Sequence, residues 1–297
     1  MANPLAGHPA PLYDPPMLAA IALASALTVT SASIAQMSDT DVDAKIREAH
    51  QAPDFPARID ALSKLFVGVP YGEFPLGEGS GVEPQPRWRT DKVDCQTYVE
   101  TVLAMANAKG LDEAKTILDD IRYTKPPVSF ANRNHFTEAQ WLPANLEKGY
   151  VRDEAISING NAPEETLVLH KAQWSKVKGL QRLEQANIPE GKFSIRYLPI
   201  AEAKRKAASI EPGTILMVVR EHDANKVVRV SHMGFVLKGG RGMVVRHAST
   251  GDAHAVVDED FFLFLDKQSE YRKWKVIGVA LAMPIDAALR ISQIAKH

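Results

Sequence analysis

The 297-residue chain contains a single cysteine. A disulfide framework within the chain is therefore excluded. It also lacks an excess of charge of either sign: 35 basic and 36 acidic side chains leave a net charge of -1. A dedicated nucleic-acid binder usually carries a basic excess, so nucleic acid is not an expected partner. There is no internal repeat and no heptad pattern. With 45% hydrophobic and 24% charged residues the composition is that of a folded globular protein, which excludes a disordered chain or a collagen-like rod. No His-Glu-x-x-His or comparable spacing occurs among the nine histidines, so no metal and no other cofactor is expected.

Charge is missing altogether from Met17 to Ala35, and acidic residues resume at Asp39 and Asp41. An apolar run ending in small residues, with Ser33 and Ala35 at its end, has the pattern of a secretory signal cut after Ala35. No Lys or Arg precedes the run, and the Pro-rich leader before it would be explained if Met17 were the true start. Residues 1–35 contain one acid, Asp14, and no base, so their removal would leave a mature chain of zero net charge. No cysteine follows the run, so no lipid anchor is expected. The chain is expected to be periplasmic or secreted, with no membrane anchor after cleavage. In an oxidising compartment an unpaired thiol is a hazard unless it reacts by design, and this directs attention to Cys95. The pattern leaves oligomeric state undecided.

The spacing predicts helices over Asp41–Gln51 and from Phe55 to Leu65, stopped by Gly68 and Pro70. An irregular, Gly/Pro-rich loop follows from Tyr71 to Arg89, long enough to be functional. Cys95 then opens a periodic helix in which Val99, Val102, Leu103 and Ala106 share a face. Asp94 is the expected N-cap and Gly110 the expected C-cap. Another helix is expected over Leu111–Arg122, and a loop running into a short helix over Phe130–Asn145. A strand over Glu164–His170, a polar helix over Trp174–Ala186 and a charged helix over Ile200–Ala208 complete the middle. From Glu211 the pattern turns to strands: Gly213–Arg220, then Val227–Leu237 and Met243–Ala248 joined by a Gly-rich turn, then Val276–Met283. A helix-rich first half followed by consecutive antiparallel strands predicts an α+β fold, with residues 36–297 forming one domain.

A thiol attacks as thiolate, and a helix N-terminus favours that anion. Cys95 at a first turn is expected to have a lowered pKa. A nucleophile needs a base, and the base an orienting group. His232 and His247 fall on the two strands of one hairpin, where their rings can meet on one face. His232 lies 137 residues after Cys95, distant in sequence as such partners usually are. A lone cysteine or a lone strand histidine is more often packing; the conjunction is more specific than either.

The series DCQTYVE at a helix start, then GTILMVV, SHMGFVL and VVRHAS, resembles the NlpC-type papain-like cysteine peptidases and amidases of bacterial cell walls. The Asp-Cys-x-Thr-x-Val-Glu motif, with Arg133-Asn134-His135-Phe136 and the following Trp141 and Asn145, resembles its N-acetylmuramoyl-L-alanine amidase-like branch. Phe136 departs from the Tyr expected there. The resemblance spans roughly Tyr71 to Ala282, and it implies a papain-like fold with family-specific insertions around residues 110–210. It also implies hydrolysis of the amide between N-acetylmuramic acid and L-alanine in peptidoglycan or muropeptides, through a thioester. Cys95 would be the nucleophile, His232 the base and His247 its orienting partner. Tyr71, Arg133, Asn134, His135 and Trp141 would bind substrate, with Tyr71 a candidate oxyanion donor. Two alternatives stay open: a γ-D-glutamyl-diamino acid endopeptidase, and a non-catalytic wall-binding module of the same fold.

Overall fold

The computed structural model describes residues 33–174, 181–224 and 226–294. Of the expected leader, only its last three residues are among them. Ile34–Gln36 form a 3₁₀ turn in which Ile34 is 0% exposed and its N–H donates to the Leu65 carbonyl at 3.0 Å. The edge of the expected leader is thus part of the core.

Helix α1 (Asp39–Ala49) starts two residues earlier than its apolar spacing indicates, because Ser38 and Asp41 form a reciprocal cap. It buries Val42, Ile46 and Ala49. Helix α2 (Phe55–Lys64) starts at an Asp54 cap with Pro56 in its first turn. Helix α3 (Cys95–Asn107) starts where expected, with Asp94 as N-cap. Its far end differs. Ala108 is the C-cap, and Gly110 instead precedes α4 (Leu111–Arg122) as its N-cap. Gly110 is crowded by the Asp43 carboxylate of α1, and the same carboxylate accepts from the Leu111 N–H at 2.8 Å. The helix start is therefore capped from a neighbouring helix.

The next segment begins with a 3₁₀ turn at Phe130–Asn132 and a π-helical turn at Thr137–Trp141. The latter runs into α5 (Leu142–Glu147). A short strand β1 (Val151–Asp153) and helix α6 (Ala155–Ile158) follow. Strands β2 (Glu164–Leu169) and β3 (Gly191–Arg196) form a separate hairpin. Between them lie α7 (Lys171–Trp174) and a 3₁₀ turn at Gln181–Gln185; residues 175–180 of the expected polar helix lie outside the described residues. Strand β4 (Leu198–Pro199) leads into α8 (Ile200–Arg205).

The main sheet is built from β5 (Ile215–Arg220), β6 (Val230–Gly239), β7 (Gly242–Ala248) and β8 (Val256–Asp260). After helix α9 (Phe261–Ser269) it is completed by β9 (Val276–Pro284), and α10 (Ala288–Ile294) ends the described chain. The strand order is β1-β9-β5-β6-β7-β8, with β4 also on β9, and every pairing is antiparallel. This is the expected α+β organisation. Helix α3 packs on the sheet through Tyr98, Val99 and Val102, in one core with Met217, Phe235 and Ala280. The Tyr98 ring meets Phe66 and Phe235 edge-on, with centroids 5.6 and 5.7 Å away. Leu216, Val218, Val236 and Val245 form a second core with α8 and α9, through Ala203, Phe261 and Phe264. Alternation along β5 and β6 thus supplies two buried layers, and the sheet is fixed from both sides. No helix among the described residues is long and apolar enough to cross a membrane.

Candidate active site

Cys95 is the first residue of α3 because Asp94 and Thr97 close a capping box around it. Asp94 Oδ1 accepts from the Thr97 N–H at 2.7 Å and from its hydroxyl at 2.8 Å, while Thr97 Oγ1 accepts from the Asp94 N–H at 3.0 Å. Glu100, one turn on, is buried at 2% exposure. It accepts from Gln96 Nε2 at 2.9 Å and pairs with Arg122 of α4 at 3.3 Å. The Asp, Thr and Glu of the motif therefore fix the first turn on which the thiol stands.

The partner strand reaches the same place. The backbone N–H of Met233, next to His232, lies close enough to Cys95 to favour its thiolate. The start of β6 is anchored by Glu138 from the π-helical turn, whose carboxylate accepts from the backbone N–H groups of Arg229 and Val230. His232 and His247 meet as expected: His232 Nε2 and His247 Nδ1 are 2.8 Å apart, with the rings nearly perpendicular. Phe264 of α9 packs against both, 6.2 and 5.1 Å between centroids.

The register explains the His-x-Gly spacing. Phe235 pairs with Arg246, so Gly234 lies opposite His247 one step on. A Cβ at 234 would sit 2.7 Å from His247 Cβ and from the Arg246 carbonyl oxygen. With no side chain there, His247 reaches diagonally across the hairpin to His232.

Electrostatics correct one expectation. Burial pushes the Cys95 thiol up to about 12, and the adjacent Asp94 charge pushes the same way. The N–H groups of Met233, Gln96 and Cys95 itself oppose this without reversing it. Burial also pulls His232 down to about 3, helped by His247 and Arg220. Both shifts favour a thiol and a neutral imidazole over the thiolate that the helix terminus alone predicts.

A fourth group in this row has no counterpart in the sequence reading. His247 Nε2 lies 3.3 Å from Glu259 Oε2 on β8, and Glu259 Oε1 lies 2.5 Å from Lys267 Nζ on α9. The hydrogen bond from His247 holds Glu259 down at about 2, with Lys267 assisting. Residues 256–260 read VVDED, an acidic run without the apolar alternation that marks a strand. Only the pairing of Val245 with Glu259 on β7 and β8 brings this carboxylate beside His247.

The other expected site residues divide. Tyr71 comes close enough for a charge on Cys95 to act on it; burial first, then Cys95, Asp94 and Glu73, push its hydroxyl up to about 12. Its ring packs on the exposed His254, 5.3 Å between centroids. Arg133, Asn134 and His135 line a cavity of about 190 Å³ that begins at Asp94 and Gln96, flanking the cysteine. Each is already engaged. Arg133 pairs with Glu78 at 3.1 Å and Glu83 at 2.6 Å. Asn134 bonds Thr124 and the Ile121 carbonyl, and His135 Nε2 lies 2.7 Å from the Phe130 carbonyl. These residues form a braced wall. Trp141 is a correction: it is 0% exposed within the α3 core, so its ring has no face for a sugar. Arg122, which the sequence marks only as a helix end, lines the same cavity at 5% exposure; its Nε faces Glu100 at 3.3 Å, and its Nη1 has no hydrogen-bond partner. Among the described residues no three His, Cys, Asp or Glu side chains converge to hold a metal.

Comparison with known proteins agrees with this architecture. The chain is similar over 83% of its length, and 95% of the other chain, to a Legionella pneumophila protein assigned to a family of unknown function. The TM-score is 0.72 and the identity 24%. A protein from Bacteroides uniformis named as an N-acetylmuramoyl-L-alanine amidase is 21% identical, with a TM-score of 0.63, over 77% of this chain and 98% of that one. A Bacteroides fragilis protein named as a putative xylanase has the same fold, at 0.57 and 21% over 75% and 99%. At these identities the likeness is one of fold. No curated protein matches. A family model described as AmiA-like, N-acetylmuramoyl-L-alanine amidase-like, matches residues 61–271, and on that match over most of its length the chain belongs to the N-acetylmuramoyl-L-alanine amidase-like family.

Proposed function

We propose that this protein is a papain-like cysteine amidase that hydrolyses the amide between N-acetylmuramic acid and L-alanine in muropeptides. One observation carries the reading: in a chain of this family, the only thiol opens α3 beside a strand whose His232 is hydrogen-bonded to a second imidazole.

In this reading the reaction starts from a thiol and a neutral imidazole. As the Cys95 sulfur closes on the carbonyl carbon, its proton passes to His232, so no free thiolate accumulates beforehand. The carbonyl oxygen becomes an oxyanion, for which the Cys95 backbone N–H and the Tyr71 hydroxyl are the nearest donors in this reading. His232 returns the proton to the alanine nitrogen, the C–N bond breaks, and the lactyl carbonyl stays on sulfur as a thioester. Water, losing a proton to His232, then attacks the thioester. Collapse of that intermediate returns the proton to sulfur and frees the acid. The cavity beside Cys95, walled by Arg133, Asn134 and His135, is the substrate groove in this reading. The periplasm or the exterior is where such a substrate is met.

Cys95→Ala protein incubated with muropeptides tests the reading. Loss of peptide release, with the fold retained, is expected; release at the wild-type rate would refute the thiol mechanism.

A further inference from the structure

The hydrogen-bond row does not end at the second histidine. His232, His247 and Glu259 stand on three successive strands, β6, β7 and β8, each diagonal to the next on one face of the sheet. We infer that Glu259 is a positioning residue, which sets the tautomers of both imidazoles so that His232 presents an unprotonated Nδ1 as the base. The inference rests on the cysteine amidase reading above for its reaction, though not for its geometry.

The argument is one of donors and acceptors. An ionised carboxylate only accepts, so the His247 nitrogen 3.3 Å from Glu259 Oε2 must carry the proton. The inference takes His247 as a neutral ring, whose Nδ1 is then bare and faces His232 Nε2 at 2.8 Å. His232 Nε2 must therefore be the donor of that contact. Its single proton is spent there, and Nδ1 is left with its lone pair. Turning the row around would aim a lone pair of His247 at a carboxylate and protonate the wrong nitrogen of His232. The anion also stabilises the imidazolium that forms when the thiol proton arrives.

Lys267 of α9 pairs with Glu259, Arg220 of β5 acts on His232, and Phe264 covers both rings without charge. Glu259 is thus the anion that offsets the cation Arg220 near the base.

The test compares Glu259→Ala, Glu259→Gln and Lys267→Met in the full-length protein. Glu259→Ala is expected to lower kcat/KM on a muropeptide about 10- to 100-fold with little change in KM. Glu259→Gln, whose amide oxygen still accepts from His247, should recover part of that rate. It lacks the negative charge that favours imidazolium, so the acid limb of its pH profile should move to lower pH. Lys267→Met, which breaks only the ion pair to α9, should cost less than about threefold. Long-range nitrogen spectra of histidine-labelled protein report tautomers without substrate. They should show His232 protonated at Nε2 in wild type and in Glu259→Gln, and mixed tautomers in Glu259→Ala. A wild-type rate in Glu259→Ala, a loss that Lys267→Met reproduces in full, or His232 protonated at Nδ1 in wild type would each overturn the inference. An inactive wild type would refute the amidase reading while leaving the tautomer result to decide this one.

Discussion

Gly234 lies directly beneath His247: a Cβ added to the glycine would approach His247 Cβ to 2.7 Å. The neighbouring backbone, at the Arg246 carbonyl, is equally close and cannot swing aside as a flexible side chain would. Gly234→Ala should therefore push β7 from β6 and lengthen the His232–His247 contact. Overpacking of this kind costs about 1–3 kcal/mol, read as a lowered denaturation midpoint. The accompanying loss of kcat/KM should exceed about tenfold. Full activity in Gly234→Ala would show that the diagonal contact does not matter.

Titration of the base has a defined sign. His232 is held below the ordinary imidazole value of 6.5, at about 3, so it remains an acceptor as pH falls through 6.5. The acid limb of kcat/KM should lie well below 6.5. The thiol, held above its ordinary 9.0 at about 12, should contribute no limb near neutrality. For the same reason, iodoacetamide should alkylate Cys95 more slowly than a free cysteine at pH 8. An acid limb at or above 6.5, or rapid alkylation, would indicate a thiolate–imidazolium resting pair instead.

Arg122 and Glu100 are a buried pair whose components cannot be removed singly without cost. Arg122→Leu leaves the Glu100 carboxylate enclosed with only Gln96 as hydrogen-bond partner. A destabilisation of about 3 kcal/mol is expected in urea unfolding. The double variant Glu100→Met/Arg122→Leu should recover most of it, because neither charge then remains buried. Equal losses in the single and double variants would mean that the ion pair is not what the site requires.

Ile34 constrains any processing of the leader. Its side chain is fully buried and its N–H is spent on Leu65, so a cut after Ala35 would discard a core residue. If the protein is exported and cut, intact mass should show Ile34 retained. A mature chain starting at Gln36 would contradict this.

The legible parts of this molecule are those set by local pattern. The Asp94–Thr97 cap lies within four residues of sequence, and the hairpin bearing His232 and His247 spans a Gly-rich turn, so both were open to a reading of spacing. The thiol's protonation was not, because the helix terminus is local whereas the burial that outweighs it comes from packed neighbours. Trp141 looks like a surface aromatic among Asn, His and Gln, yet tertiary packing encloses it. Glu259 was hidden because a pairing two strands away from His232, not its own acidic surroundings, gives it a partner. Gly110 precedes α4 instead of closing α3 because the cap for Leu111 comes from Asp43, 68 residues earlier.

The most direct measurement is the product mass spectrum of wild-type protein acting on a defined disaccharide-peptide muropeptide. The account predicts a disaccharide ending in the free lactyl carboxylate, together with a peptide whose amino terminus is the intact L-alanine. A disaccharide still carrying L-Ala-D-Glu would contradict it and assign the cut to the γ-D-glutamyl bond of the stem.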